Sequence, residues 1–408
     1  MTAQTVKSRP SSTSGRDPSA DDILAGVREL VPLAKKRARQ TEDARMVSPE
    51  IIEALRATGL FRLLQPKRFG GLEHSFTDFV RLSIELGQGC GSTAWCAGIA
   101  IIHNWVAGLW PLEAQQEVWD DPQALVCGSY VPKSKCEPVS GGYKVTGRWD
   151  FMSNCDHSAW FIVGMVIPPA AEGKPPMPAW ALIPRADARI DDTWYAMGMC
   201  GTGSKTVAID EPTFVPAHRV LPVPVINSGD APGAKINTNP IYKLTFTGAA
   251  PYTLCSVPVG VAAGALKDFV EGARTKMATQ PGGPPRPMAE LAHVQVAIAD
   301  ASAAIDAATT LLLRDTAAME AKLKQGVLPS VDERITYRRN QAYAAAQSAH
   351  AVGALFEAQG ASAGDLSSPI QRAWRDTNFV ARHMSLGWQA TGTMYGQHQL
   401  GLQPRGTF

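Results

Sequence analysis

Residues 141–164 read GGYKVTGRWDFMSNCDHSAWFIVG, and the periodicity of this stretch decides the fold. Gly141-Gly142 is a turn signal. Lys144-Val145-Thr146 and Trp160-Phe161-Ile162-Val163 are β-branched and aromatic runs without the three-to-four spacing of a helix. Strand-like runs recur at 179–183 and 206–209, and the Pro-rich stretch 168–178 ahead of the first reads as loop. Residues 125–235 are therefore expected to form a β domain, a barrel or a sandwich.

On either side of this block the period changes to that of helices. Within 21–124, Ser48-Pro49-Glu50 is a helix start, with Ser as N-cap and Pro in the first turn. Ile51, Ile52, Leu55 and Leu60 continue its apolar face, and Gly59 supplies the stop. Gly70-Gly71 precedes a second run at 76–86. A third helix begins near Ser92 and carries Trp95, Ile99, Ile102, His103 and Val106 at spacings of three and four. Within 236–408, the segments 291–323 and 331–358 are long, Ala-rich and free of internal proline, and a last helix is expected over 369–395. Long helices with short connections make a four-helix bundle. The chain thus reads as mainly α with an inserted β domain. Residues 1–20, rich in Ser, Thr, Pro and Arg without an apolar segment, are expected to be a disordered leader rather than a secretory signal.

Composition removes several functional classes. The chain has 408 residues, 45% hydrophobic and 19% charged, which is ordinary for a globular protein with a large core. A formal net charge of +2 gives no global basic field, so nucleic acid is not expected as a partner. No apolar window of about 18 residues lacks both charge and turn signals, so no membrane span is expected. The seven cysteines include no CxxC pair, which disfavours a zinc site or a disulfide framework and fits buried thiols in a reducing cytoplasm. No GxGxxG stands in a βαβ setting, and Gly201-Thr202-Gly203-Ser204 is not a Walker motif.

Three segments carry a family resemblance. PEIIEALRATGLFRLLQPKRFGGL (49–72) resembles the N-terminal signature of the acyl-CoA dehydrogenase superfamily; residues 141–164 are similar to its flavin-facing strands, and GMCGTGSKTVAIDEPTFVPAHRV (198–220) to the segment closing its β domain. GSTAW (91–95), SNCDH (153–157) and IQRAWRDTNFVARH (370–383) resemble the oxygenase branch, which includes the oxygenase components of p-hydroxyphenylacetate hydroxylase and the secosteroid hydroxylases. The resemblance spans about residues 20–400. It implies an N-terminal helical domain, a middle β domain and a C-terminal bundle. It also implies a monooxygenase that uses reduced FMN or FAD and O2, through a C4a-hydroperoxyflavin, to hydroxylate a small phenolic or heteroaromatic substrate. With no dinucleotide fingerprint in the chain, reduced flavin is expected from a separate NAD(P)H-dependent reductase. The family also implies a homotetramer.

Scaffold alone does not choose among dehydrogenases, oxidases and oxygenases. A dehydrogenase needs a carboxylate base, and over 370–408 the only acidic residue is Asp376, in an Arg375-Asp376 pair that reads as structural together with Arg372. An acyl-CoA dehydrogenase or oxidase, or an S- or N-oxygenase of the same branch, remains the alternative.

The resemblance implies these site residues. Ser153 lies at the flavin N5 edge, and His383, on the last helix, lies near C4a. His103, two turns after Trp95, contacts the substrate, in a pocket that Trp95 and Ser129 also line; Ser129 is expected at the cofactor as well. Histidine suits such positions because its pKa lies near neutrality. Trp149 is expected to stack on the isoalloxazine, with a core tryptophan as the other reading. Arg274 and Arg286 are expected near the flavin phosphates, and Lys243 stands where relatives carry an arginine. Ordinary strand serines and surface arginines are the plainer readings of Ser129, Arg274 and Arg286.

Overall fold

The computed structural model describes residues 16–169, 173–278 and 283–408. Three blocks follow one another as the periodicities require. The first comprises α1 (Ala20–Ala44), α2 (Pro49–Ala57), α3 (Phe76–Gly87), α4 (Gly91–Ala107) and α5 (Leu112–Val118). Ser48 caps α2 by accepting the Ile51 N–H, with Pro49 in the first turn. Every residue of α4 is buried, so this helix is the spine of the block rather than an amphipathic cover.

The middle block is a sandwich of two four-stranded sheets. One has the order β1 (Val126–Ser129), β4 (Trp160–Ile167), β5 (Met177–Pro184), β8 (Val220–Pro222). The other has the order β2 (Ser134–Val139), β3 (Gly142–Met152), β7 (Lys205–Pro216), β6 (Arg189–Asp191). β1 runs parallel to β4, and Gly128 lies opposite Ile162. The pairing of β3 with β7 shifts register between Trp149 and Met152, a bulge that re-aims the chain as it leaves the sheet.

Three short turns, α6 (Val223–Ile226), α7 (Pro232–Ile236) and α8 (Phe246–Ala249), lead into the bundle of α9 (Pro251–Thr275), α10 (Ala292–Lys324), α11 (Val331–Gln359) and α12 (Pro369–Val380). A final helix, α13 (Trp388–Gln399), packs on α11. Two expectations change here. The single last helix is two helices broken at 381–387, so His383 sits in a turn rather than on a helix. The break needs no proline: the imidazole Nδ1 of His383 accepts the Ser385 N–H at 3.1 Å, replacing a helical carbonyl. The leader expected over 1–20 lies outside the described residues up to residue 15. Its described end is held in place: Asp17 pairs with Arg62, the Pro18 carbonyl contacts His74, and Ser19 caps α1.

Among the described residues, two helical stretches are long and apolar enough by length and composition to cross a membrane. The first, Phe246–Thr275, is mostly buried inside the fold, whereas α10 is buried along only a small part of its apolar length.

Candidate active site

Trp95 and His103 stand eight residues apart on α4, roughly 12 Å along its axis. Each anchors its own cluster.

At Trp95, three segments converge. The indole Nε1–H donates to Ser153 Oγ at 3.0 Å, and its ring lies 6.0 Å from that of His383. Ser153 Oγ lies 2.7 Å from Ser204 Oγ, which lies 2.6 Å from Thr202 Oγ1, and Thr202 donates to the Met199 carbonyl at 2.9 Å. The backbone here is costly: Phe151, Asn154 and Met199 hold φ of 60°, 66° and 53°, a region that non-glycine residues seldom occupy. Such strain persists only where surrounding contacts over-determine it, and it collects at functional sites. Phe151 leaves the bulge 68% exposed, two residues before Ser153.

Met199 is fixed from below. Asp376 accepts its N–H at 2.6 Å, and burial raises that carboxyl to about 6. Arg375 pairs with Glu42 and donates to the Met197 carbonyl, so the Arg375-Asp376 pair bolts the 197–204 segment to α12. Held in this way, Asp376 is not placed as a catalytic base.

His383 is neutral. Burial, with the Arg338 guanidinium adding to it, lowers its pKa to about 4. Because Nδ1 accepts from Ser385, the ring proton resides on Nε2, which makes this side a donor.

His103 has the opposite polarity. It is 2% exposed, Nδ1–H donates to the Ile99 carbonyl at 2.7 Å, and the buried Nε2 has no protein partner. Burial lowers its pKa to about 4, so the near-neutral titration expected from the residue type gives way to a fixed acceptor. Tyr130 stacks on it at 5.5 Å and 6°, and Trp180 and Phe246 pack on Tyr130 in turn, 4.1 and 4.8 Å from its ring. The Tyr130 hydroxyl is also buried without a partner. Gly128 makes room for the imidazole: a Cβ there would lie 2.9 Å from His103 Nε2.

Several expected residues take other positions. Ser129 lies between Gly128 and Tyr130, which both meet His103; strand alternation turns it away, and its Oγ donates to the Asp150 carbonyl at 2.8 Å. Trp149 is a core tryptophan, wholly buried, with Nε1–H donating to the Gly164 carbonyl at 2.7 Å, so neither face is open for stacking. Arg274 is exposed in the last turn of α9. Arg286 pairs with Glu290 at 3.7 Å. Lys243 lines a separate cavity of about 220 Å³ with Asn227, Arg334 and Tyr337. Among the described residues none of the three hydrogen-bonds to the Trp95 or His103 clusters.

Sequence reasoning missed Phe151, Tyr130, Trp180, Phe246, Thr202 and Ser204. For Tyr130 a signal existed, because it follows Gly128 by two, one residue past the end of β1. The other five meet through sheet stacking and loop return, which leave no local pattern.

The residues present fit a flavin and a small polar ring. Buried groups without protein partners cost free energy unless something satisfies them, and among the described residues His103 Nε2, the Tyr130 hydroxyl, Thr93 Oγ1 and the Asn154 amide are of this kind, as are Asn104 Oδ1 and Asp156 Oδ2. A helical block, a two-sheet sandwich and a bundle meeting at such a cluster define an acyl-CoA dehydrogenase-like flavoenzyme. Residues 19–119 match the family profile "Acyl-CoA dehydrogenase, N-terminal domain", and residues 252–388 match "Acyl-CoA dehydrogenase, C-terminal domain". The chain is 42% identical, over 94% of its length and 95% of the relative's, to the oxygenase component of FADH(2)-dependent resorcinol hydroxylase from Rhizobium sp.. It superposes on the HsaA monooxygenase of Mycobacterium tuberculosis with TM-score 0.87, at 35% identity over 95% of this chain and 99% of that one. XiaF from Streptomyces sp., solved with FADH2 and glycerol, gives 0.86 at 25% identity, over 95% and 98%. The chain belongs to the acyl-CoA dehydrogenase-like family of flavin-dependent monooxygenases, as an oxygenase component whose reduced flavin comes from a separate component.

Proposed function

We propose that this oxygenase component hydroxylates a small phenolic ring, taking reduced FAD from an NAD(P)H-dependent reductase. One observation carries the reading: the bare, buried Nε2 of His103, whose ring stacks on Tyr130, itself packed against Trp180 and Phe246. An aromatic cluster stacks well with a flat ring, and a fixed acceptor within it takes a hydroxyl hydrogen. The resorcinol hydroxylase relative is consistent with that chemistry.

Reduced flavin, when bound, activates O2 and supplies the oxygen atom. The protein's part is orientation, exclusion of water and charge placement. His103 accepts the substrate O–H, which raises electron density on the ring as the proton is shared. Its low basicity keeps that proton shared rather than removed. On the other side of the site, His383 offers an Nε2–H donor and Ser153 its hydroxyl oxygen to the flavin edge. Ser129 lies one residue from the substrate box and contributes through its hold on the Asp150 carbonyl. In a homotetramer, the exposed Arg274 at the end of α9 would serve a flavin phosphate of a neighbouring subunit. The long, little-buried apolar side of α10 supports that assembly, while Asp300 and Asp306 on the same helix disfavour a lipid environment. A cytoplasmic location accords with the seven free thiols.

The test is oxygen uptake and product analysis with a flavin reductase, NADH and FAD. Mono- and dihydric phenols are expected to be hydroxylated, and their methyl ethers to give mostly hydrogen peroxide. His103→Leu should reduce phenol coupling at least tenfold. Equal oxygenation of the methyl ethers, or of a thioether in place of phenols, would overturn the reading.

A further inference from the structure

The hydroxyl chain behind Ser153 has one direction in which every contact carries a hydrogen. Three oxygen–oxygen contacts run in series, at 2.7 Å (Ser153–Ser204), 2.6 Å (Ser204–Thr202) and 2.9 Å (Thr202–Met199 carbonyl). Each contact needs one hydrogen, and three hydroxyls supply three. The Met199 carbonyl, which also receives the Trp194 indole N–H at 3.2 Å and the Thr202 N–H at 3.1 Å, only accepts, so its contact with Thr202 Oγ1 carries a hydrogen only when the Thr202 hydroxyl donates it. Ser204 must then donate to Thr202, and Ser153 to Ser204. At the other end the Trp95 indole N–H can only donate, and it fills one lone pair of Ser153. Ser153 has spent its hydrogen and keeps a single open lone pair. All three hydroxyl residues are at most 7% exposed, so water does not scramble the order.

We propose that Thr202 and Ser204 are positioning residues that lock Ser153 as a hydrogen-bond acceptor, so that the site favours reduced over oxidised flavin. The proposal rests on the placement of Ser153 at the flavin N5 edge. Reduced flavin carries a hydrogen on N5 and meets the open lone pair of Ser153 favourably. Oxidised flavin has a bare lone pair at N5, and two acceptors then face each other. The relay thus supplies what an oxygenase component needs: capture of the reduced flavin a reductase delivers, and release once it is oxidised. The anchor of the relay is remote from the flavin, because Asp376 holds Met199 and Met199 sets the direction.

The experiment measures dissociation constants of the full chain for oxidised FAD, by fluorescence quenching, and for photoreduced FAD under argon. Ser204→Ala frees the Ser153 hydrogen for oxidised N5, and Thr202→Val allows Ser204 to reverse. In each, oxidised FAD should bind about five- to tenfold tighter while reduced FAD changes less than twofold. A tenfold change raises or lowers the bound two-electron potential by about 30 mV, here downward. Thr202→Ser keeps the relay and should retain the wild-type ratio. Circular dichroism identifies any variant that fails to fold, and the other then decides. A ratio within twofold of wild type in the folded variants, or the same shift in Thr202→Ser, overturns the proposal. Wild-type protein that does not bind reduced FAD at all defeats the functional reading instead.

Discussion

Replacement of Gly128 by alanine tests the substrate box with one methyl group. An added Cβ would lie 2.9 Å from His103 Nε2, 3.0 Å from its Cδ2 and 2.9 Å from the Ile162 carbonyl. The carbonyl cannot retreat, because β4 is an interior strand, hydrogen-bonded to β1 on one side and β5 on the other. The imidazole must therefore move, against the 2.7 Å bond that ties Nδ1 to Ile99 on α4. Overpacking of this kind costs about 1–3 kcal/mol. The functional loss should be larger than the stability loss suggests, since the methyl group crowds the one open acceptor on His103. Losing a hydrogen bond from a buried acceptor costs about 1–3 kcal/mol, which corresponds to roughly 5- to 150-fold in kcat/KM. Gly128→Ala should therefore lower Tm by a few degrees and kcat/KM for a phenol by one to two orders of magnitude, with oxygen uptake persisting as hydrogen peroxide. The assay is a thermal melt alongside product and peroxide yields per NADH. Unchanged coupling in a variant with a lowered Tm would show that the substrate does not use His103 Nε2, and the reasoning would fail.

Two further predictions concern other parts of the framework. Trp149→Phe leaves the Gly164 carbonyl without its indole donor and opens space in the sandwich core, so stability should fall by about 2–4 kcal/mol while FAD affinity stays within threefold. A larger change in FAD affinity would restore a stacking role for Trp149. For Asp376 the folded pKa of about 6 stands above the ordinary 3.8, so the folded state holds a proton that the unfolded state has lost between those values. The Asp376 contribution to stability is therefore most favourable below pH 3.8, declines as pH rises to 6, and above 6 carries the full cost, about 3 kcal/mol. Asp376→Asn removes that dependence, and its Tm relative to wild type should improve steadily from pH 4 to pH 7. A constant gap would show that Asp376 does not titrate in this range.

The three-block architecture is legible in the sequence because helices and strands print different periods on the chain, and α2, α3, α4, α10 and α11 all begin within a residue or two of their sequence signals. The run of α9 is less visible, since Pro258 interrupts a pattern that burial on all sides nonetheless keeps helical. His103 and Trp95 can be placed on one helix face from their spacing alone. Their partners cannot. Trp95 with Ser153 and His383, and Tyr130 with His103, Trp180 and Phe246, are contacts between residues dozens to hundreds of positions apart, which no local propensity encodes. Trp149 and Ser129 illustrate the same limit: both stand beside the right motif, but strand alternation and a bulge turn Ser129 away from the His103 box and Trp149 into the core. Residue type alone also suggests histidines titrating near neutrality, and burial moves both His103 and His383 to about 4. The chain by itself therefore determined the scaffold, the family and the residues able to do the chemistry, because these follow from short-range periodicity and motif. Only the tertiary structure decided which lone pairs and protons face the site, because that depends on burial and on which distant backbone groups have already claimed the other side of each ring and hydroxyl.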